Sequence, residues 1–228
     1  MEKFHLRTFS IFLKKAKKGR CHMNLLERIQ PDRCALLVID VQNDYCHQEG
    51  SCSKRGNDVQ GITAMMPRLR LLLDQARNKG ITVIFIRTEH DELTDSLAWN
   101  SRYGMMRRRP ASELSCRTRS WGAEFYEVEP QNGEIILTKH RYSGFVGTNL
   151  DLLLKSLNKN SLLFTGVATN ICVESTLRDG LSHDYYVTLV EDCSATYDPQ
   201  DHNSSVRNVQ KQFGIVTDSN ELIGSWNS

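Results

Sequence analysis

The sequence predicts an α/β fold, a three-layer αβα sandwich around a mainly parallel, Rossmann-like sheet. Five short runs rich in Val, Ile, Leu and Phe recur without strict polar alternation, as strands covered on both faces do. Between them lie longer segments with apolar residues at three- and four-residue spacing, the period of an amphipathic helix. Strand and helix alternating in this way imply right-handed crossovers that cover one sheet on both faces. With 228 residues, 39% hydrophobic and 25% charged, the chain has the size and balance of a single folded domain. No linker or repeat interrupts residues 30–228, which are taken as that domain.

The first strand is expected over 34–40 (CALLVID). A helix follows over 62–79, where Leu69, Leu72, Leu73 and Ala76 mark the apolar stripe and Gly80 supplies the stop. The second strand covers 81–87 (ITVIFIR). Residues 88–133 then form a long irregular insertion with a basic cluster at Arg102, Arg107, Arg108 and Arg109. The third strand is 134–139 (EIILTK), followed by a helix over 149–158. The fourth is 161–166 (SLLFTG), with a helix over 170–183. The fifth is 185–192 (YYVTLVED), with a helix over 200–212.

Charge and cysteine content narrow the function classes. The net charge of +2 is too small to mark a nucleic-acid binder, and the Arg107–Arg109 run lacks interleaved aromatics for stacking bases. No apolar stretch approaches the roughly 20 residues needed to span a bilayer. Residues 1–22 concentrate Lys3, Arg7, Lys14, Lys15, Lys17, Lys18 and Arg20 against Glu2 alone, so the remainder is mildly acidic. This basic extension, residues 1–29, lacks a secretory apolar core. It reads either as an organellar targeting segment or as sequence preceding an alternative start at Met23. Seven cysteines, an odd number with no C-x-x-C pair, point to reduced thiols in the cytoplasm and away from disulfides or a zinc knuckle.

In an open parallel sheet, ligands bind at the carboxyl ends of the strands. Those ends are expected at Asp40, Arg87, Lys139, Gly166 and Asp192. After the fourth strand comes TGVATNICVESTLRDG, in which Asn170 suits a helix N-cap and Cys172 falls in the first turn. A helix N-terminus is expected to lower a thiol's pKa and to aim free N–H groups at an oxyanion. Cys172 is therefore a candidate nucleophile, with a buried packing thiol as the competing reading. Asp40 could accept its proton and Lys139 could hold the charges together, provided their strands are neighbours. Among the histidines, His90 is the one remaining candidate near a strand end.

The segments VIDVQNDY, KHRYSGF and TGVATNICVESTLRDG resemble the signature stretches of the isochorismatase-like cysteine hydrolases, and the second and third are most similar to the ureidoacrylate amidohydrolases. The resemblance covers roughly residues 32–218. It implies Asp40 as general base, Lys139 as charge-stabilising partner and Cys172 as nucleophile. It also implies a cis peptide between Val167 and Ala168, with the N–H groups of Ala168 and Cys172 forming an oxyanion hole. In this fold the 88–133 insertion would cover the pocket.

The expected reaction is hydrolysis of a C–N bond in a small ureido or amide substrate through a Cys-linked acyl intermediate. Biuret and N-carbamoylsarcosine are alternative substrates, and a non-catalytic scaffold is the alternative from another class. The Asp-x-His pair of the nicotinamidases is missing from 46–58, so no metal and no cofactor is expected. Asn43 and Tyr142 are candidate pocket residues, equally suited to capping a loop. Arg87, Arg102 and Arg141 are unranked candidates for a substrate carboxylate. Glu174 and Arg178 are expected to form an i,i+4 ion pair. The family's habit of assembly implies a homo-oligomer, dimer or tetramer.

Overall fold

The computed structural model describes residues 24–102 and 114–227. The basic segment 1–22 and the Arg107–Arg109 run lie outside these residues. Six strands, β1 (Cys34–Ile39), β2 (Thr82–Thr88), β3 (Ile135–Lys139), β4 (Ser161–Val167), β5 (Tyr186–Ala195) and β6 (Ile215–Thr217), form one sheet in the order β3-β2-β1-β4-β5-β6. Every pairing is parallel. The expected fold class is therefore the observed one. The order reverses between β1 and β4, which opens a crevice at their carboxyl ends.

Five helices cover the sheet: α1 (Gln60–Asn78), α2 (Leu150–Ser156), α3 (Glu174–Ser182), α4 (Pro199–Asn208) and α5 (Ser219–Asn227). The two-residue period of the strands divides the interior into two layers. On one face, Leu36, Val38, Val83 and Phe85 pack with Ile62, Leu69 and Leu73 of α1 and Leu222 of α5. On the other, Leu37, Ile39, Ile84 and Ile86 meet Leu150 and Leu154 of α2 and Leu177 of α3. The apolar stripe expected from Leu69, Leu72, Leu73 and Ala76 is buried along α1.

Several boundaries differ from the sequence expectation. β2 runs through Thr88, one residue past Arg87. β5 continues to Ala195, so Asp192 lies inside it and accepts hydrogen bonds from the N–H (2.8 Å) and hydroxyl (2.6 Å) of Ser219 at the start of α5. β6 and α5 escaped the sequence reading because a three-residue edge strand offers too short a pattern. Asn170 does not cap α3: a wide helical turn, Thr169–Val173, precedes it, and the Asn170 side chain instead accepts from the Thr196 hydroxyl at 2.8 Å. Residues just before 30 also pack on this unit. Leu25–Arg28 form a helical turn with a capping box at Asn24, Ile29 is 1% exposed, and its carbonyl accepts from Trp226 Nε1 at 3.1 Å. No helix among the described residues is long and apolar enough to cross a membrane.

Candidate active site

The parallel registers bring four strand ends to one level. Ile39 of β1 is paired with Ile86 of β2 and Gly166 of β4, while Thr88 of β2 is paired with Lys139 of β3. Asp40, one residue past β1, takes a left-handed backbone (φ 52°), which breaks the strand's alternation. Its carboxylate meets the Lys139 ammonium, with Nζ donating to Oδ2 at 2.7 Å; the two side chains are 1% and 0% exposed. Cys172, in the turn after β4, is buried against the same pair, and its thiol feels both the ammonium and the carboxylate. The acid, the ammonium and the thiol thus share one enclosed space, although the chain separates them widely.

Gly166 permits this approach. It has φ 111°, and a Cβ there would run into the backbone of Ile39, so no other residue fits so close to β1. Immediately afterwards the Val167–Ala168 peptide is cis, and the chain turns into the helical segment that carries Cys172. The Thr169 hydroxyl is 3.0 Å from His202 Nδ1 of α4, which ties this turn to the neighbouring helix.

The electrostatics of the triad differ from the sequence expectation at one point. Burial pushes the Cys172 thiol well up; the nearby Lys139 ammonium opposes that rise and the Asp40 carboxylate adds to it. Enclosure therefore favours the protonated thiol, against the lowering expected from a helix N-terminus. For Lys139, burial is the largest influence and favours the neutral amine, but the charges of Asp40 and Cys172 and the hydrogen bonds to them together raise its pKa. Such a site holds a fixed ammonium beside a carboxylate and a thiol. A proton can pass directly from sulfur to carboxylate as sulfur attacks.

One residue that the sequence reading missed lies at the centre. Thr88 Oγ1 accepts from Lys139 Nζ at 2.6 Å and donates to Asp40 Oδ1 at 2.9 Å. Its backbone is held by Gln42, whose Nε2 donates to the Thr88 carbonyl (2.9 Å) and whose Oε1 accepts from the Thr88 N–H (2.8 Å). The available signal was the alternation of β2: Thr88 continues the face of Ile84 and Ile86, whereas Arg87 falls on the opposite face with Val83 and Phe85.

Arg87 is accordingly outside the site. It pairs with Glu89 at 2.9 Å and donates to the Thr138 hydroxyl at 3.2 Å, away from Lys139. Asn43 caps a loop: its Nδ2 donates to the Trp121 carbonyl at 2.9 Å. Tyr142, Arg102 and Arg141 gather round Trp99. Arg102 lies 3.8 Å over that ring and donates to the Tyr142 hydroxyl at 2.9 Å, while Arg141 lies 4.9 Å from the ring. This group adjoins the triad through the Arg141 carbonyl, which accepts from Lys139 Nζ at 3.1 Å. His90 is engaged with Asp95, Nδ1 to Oδ1 at 2.9 Å. Glu174 and Arg178 form the expected ion pair on α3.

The described parts of the 88–133 insertion are tied down beside the crevice. Gln42 Nε2 donates to the Ala123 carbonyl at 2.8 Å, and Gln42 bridges to Phe125. Asp44 accepts from the N–H of Cys116 at 2.6 Å and of Ser51 at 2.8 Å. Asp44 also packs on Gly122, where a Cβ would collide with its carboxylate. Among the described residues, no three His, Cys, Asp or Glu side chains gather where they could hold a metal ion.

The sequence matches the family described as Isochorismatase domain over residues 34–221. A ureidoacrylate amidohydrolase RutB of Serratia proteamaculans is 35% identical over 82% of this chain and 80% of that one. Its counterpart from Agrobacterium fabrum is 32% identical over 86% of this chain and 91% of that one. Among solved structures, a cysteine hydrolase from Pseudomonas syringae is 26% identical with a TM-score of 0.76, covering 88% of this chain and 95% of that one. An isochorismatase-like hydrolase from Alkaliphilus metalliredigens is 27% identical with a TM-score of 0.69, covering 85% and 99%.

Proposed function

The chain belongs to the isochorismatase family, and from that premise we propose that it hydrolyses the ureido C–N bond of ureidoacrylate, with Cys172 as nucleophile, Asp40 as general base and acid, and Lys139 as the fixed counter-charge. The observation that carries this reading is the buried contact among those three side chains. The substrate follows from the names of the relatives, which match most of both chains.

Cys172 Sγ attacks the ureido carbonyl carbon while its proton passes to Asp40. The carbonyl oxygen becomes an oxyanion, received by the N–H groups of Ala168 and Cys172; a preorganised donor of this kind is worth about 3–4 kcal/mol. Collapse breaks the C–N bond, and Asp40 returns the proton to the departing nitrogen, releasing aminoacrylate. Water, deprotonated by Asp40, then attacks the carbamoyl thioester and restores the thiol with release of carbamate. Lys139 stays charged throughout and stabilises whichever partner carries the negative charge.

In this reading the enzyme acts in the cytoplasm as a homodimer or tetramer. The six described cysteines, all free and buried, agree with a reducing compartment. Purified protein is to be assayed with ureidoacrylate, biuret and N-carbamoylsarcosine. Turnover is expected to be fastest on ureidoacrylate, with a transient carbamoyl adduct on Cys172 seen by mass spectrometry. Turnover that survives Cys172→Ala would refute the mechanism, and preference for another ureido compound would refute the substrate.

A further inference from the structure

We propose that Thr88 is a positioning residue of the hydrolytic site, its hydroxyl fixing the Asp40 carboxylate in the orientation that receives the Cys172 proton. This rests on the triad assignment above. Lys139 Nζ has only protons to give, so Thr88 Oγ1 must accept from it at 2.6 Å. The single Thr88 proton is then left for Asp40 Oδ1, 2.9 Å away. Asp40 Oδ2 is already held by Lys139 at 2.7 Å. With one oxygen anchored by the ammonium and the other by the hydroxyl, the carboxylate plane cannot turn about its Cβ–Cγ bond.

The direction of these bonds is set by surroundings that leave no alternative. The three protons of Lys139 have Asp40, Thr88 and the Arg141 carbonyl as acceptors at 3.1 Å or less. Thr88 is 3% exposed and its backbone is bonded at both N–H and carbonyl to the buried side chain of Gln42. The arrangement also explains how a lysine two strands away from β1 reaches Asp40: Thr88, on the strand between them, is the stepping point.

The test compares Thr88→Ser with Thr88→Ala, which both lack the γ-methyl and differ only in the hydroxyl, so lost packing cancels. With ureidoacrylate, Thr88→Ser is expected to stay within about threefold of the parent in kcat. Thr88→Ala is expected to lose about 10- to 100-fold in kcat with KM changed less than about threefold, the range of one hydrogen bond to a charged group. Alkylation of Cys172 by iodoacetamide, followed by peptide mass spectrometry, gives a readout that needs no substrate. It should slow in Thr88→Ala and not in Thr88→Ser. Equal kcat and equal alkylation rates in the two variants would overturn the proposal. A parent enzyme inactive on ureidoacrylate whose two variants still differ in alkylation would overturn the substrate reading alone.

Discussion

Replacing Lys139 by Met tests whether the buried charges depend on one another. The ammonium is 0% exposed and Asp40 is 1% exposed, with 2.7 Å between them. Methionine follows the side chain as far as Cε but leaves the Asp40 carboxylate buried with no cation, and the Arg141 carbonyl without its donor. Breaking a buried pair from one side costs about 3–5 kcal/mol. At roughly 2–4 °C of melting temperature per kcal/mol for a chain of this size, the loss should be about 6–20 °C. The decisive comparison is the double variant Asp40→Asn/Lys139→Met, in which no lone charge remains. Urea unfolding at pH 7 of the parent, both single variants and the double should give a coupling energy of about 2–3 kcal/mol, with the double more stable than Lys139→Met. Strict additivity, or a Lys139→Met variant within about 1 kcal/mol of the parent, would refute the reasoning.

Alkaline pH gives a second test. Burial raises the thiols of Cys34 (to about 12), Cys46, Cys116, Cys172 and Cys193 above their ordinary value of 9.0. Above pH 9 the unfolded chain therefore loses protons that the native chain keeps, and each such thiol withdraws up to about 1.4 kcal/mol of stability per pH unit. The raised Lys139 acts in the same direction: its contribution is complete below 10.5 and is lost as pH climbs through its native value. Urea midpoints under reducing conditions should fall steeply from pH 9 to 10.5, and Cys193→Ala should flatten the slope; a level midpoint would contradict this. Gly166→Ala should cost more than about 3 kcal/mol or prevent soluble expression, since its Cβ would strike Ile39 at a positive φ; near-parental stability would show that β4 can retreat from β1.

How much of this was legible in the sequence depended on the length of each pattern. CALLVID and SLLFTG declared buried parallel strands, and α1 declared its stripe over five turns. With those elements placed, topology alone brought Asp40, Lys139 and Cys172 to one edge of the sheet. Thr88 was hidden by a one-residue error: ending β2 at Arg87 put a charged side chain where the hydroxyl belongs and sent the search to the wrong face. The thiol's ionisation was misread for another reason. A helix terminus is visible in sequence, whereas the depth at which Cys172 is enclosed depends on strands and loops far away in the chain. The cluster round Trp99 lay beyond reach because 91–102 carries no periodicity to fold it against Tyr142 and Arg141.

Asp40 and Lys139 arrive on strands flanking β2, but Cys172 joins them only once β4 has docked on the far side of β1 with Gly166 pressed to its backbone. Without that contact Cys172 would have neither the carboxylate nor the ammonium beside it. The thiol therefore has its partners only where β4 lies against β1, and its reactivity reports whether that one seam in the middle of the sheet is closed.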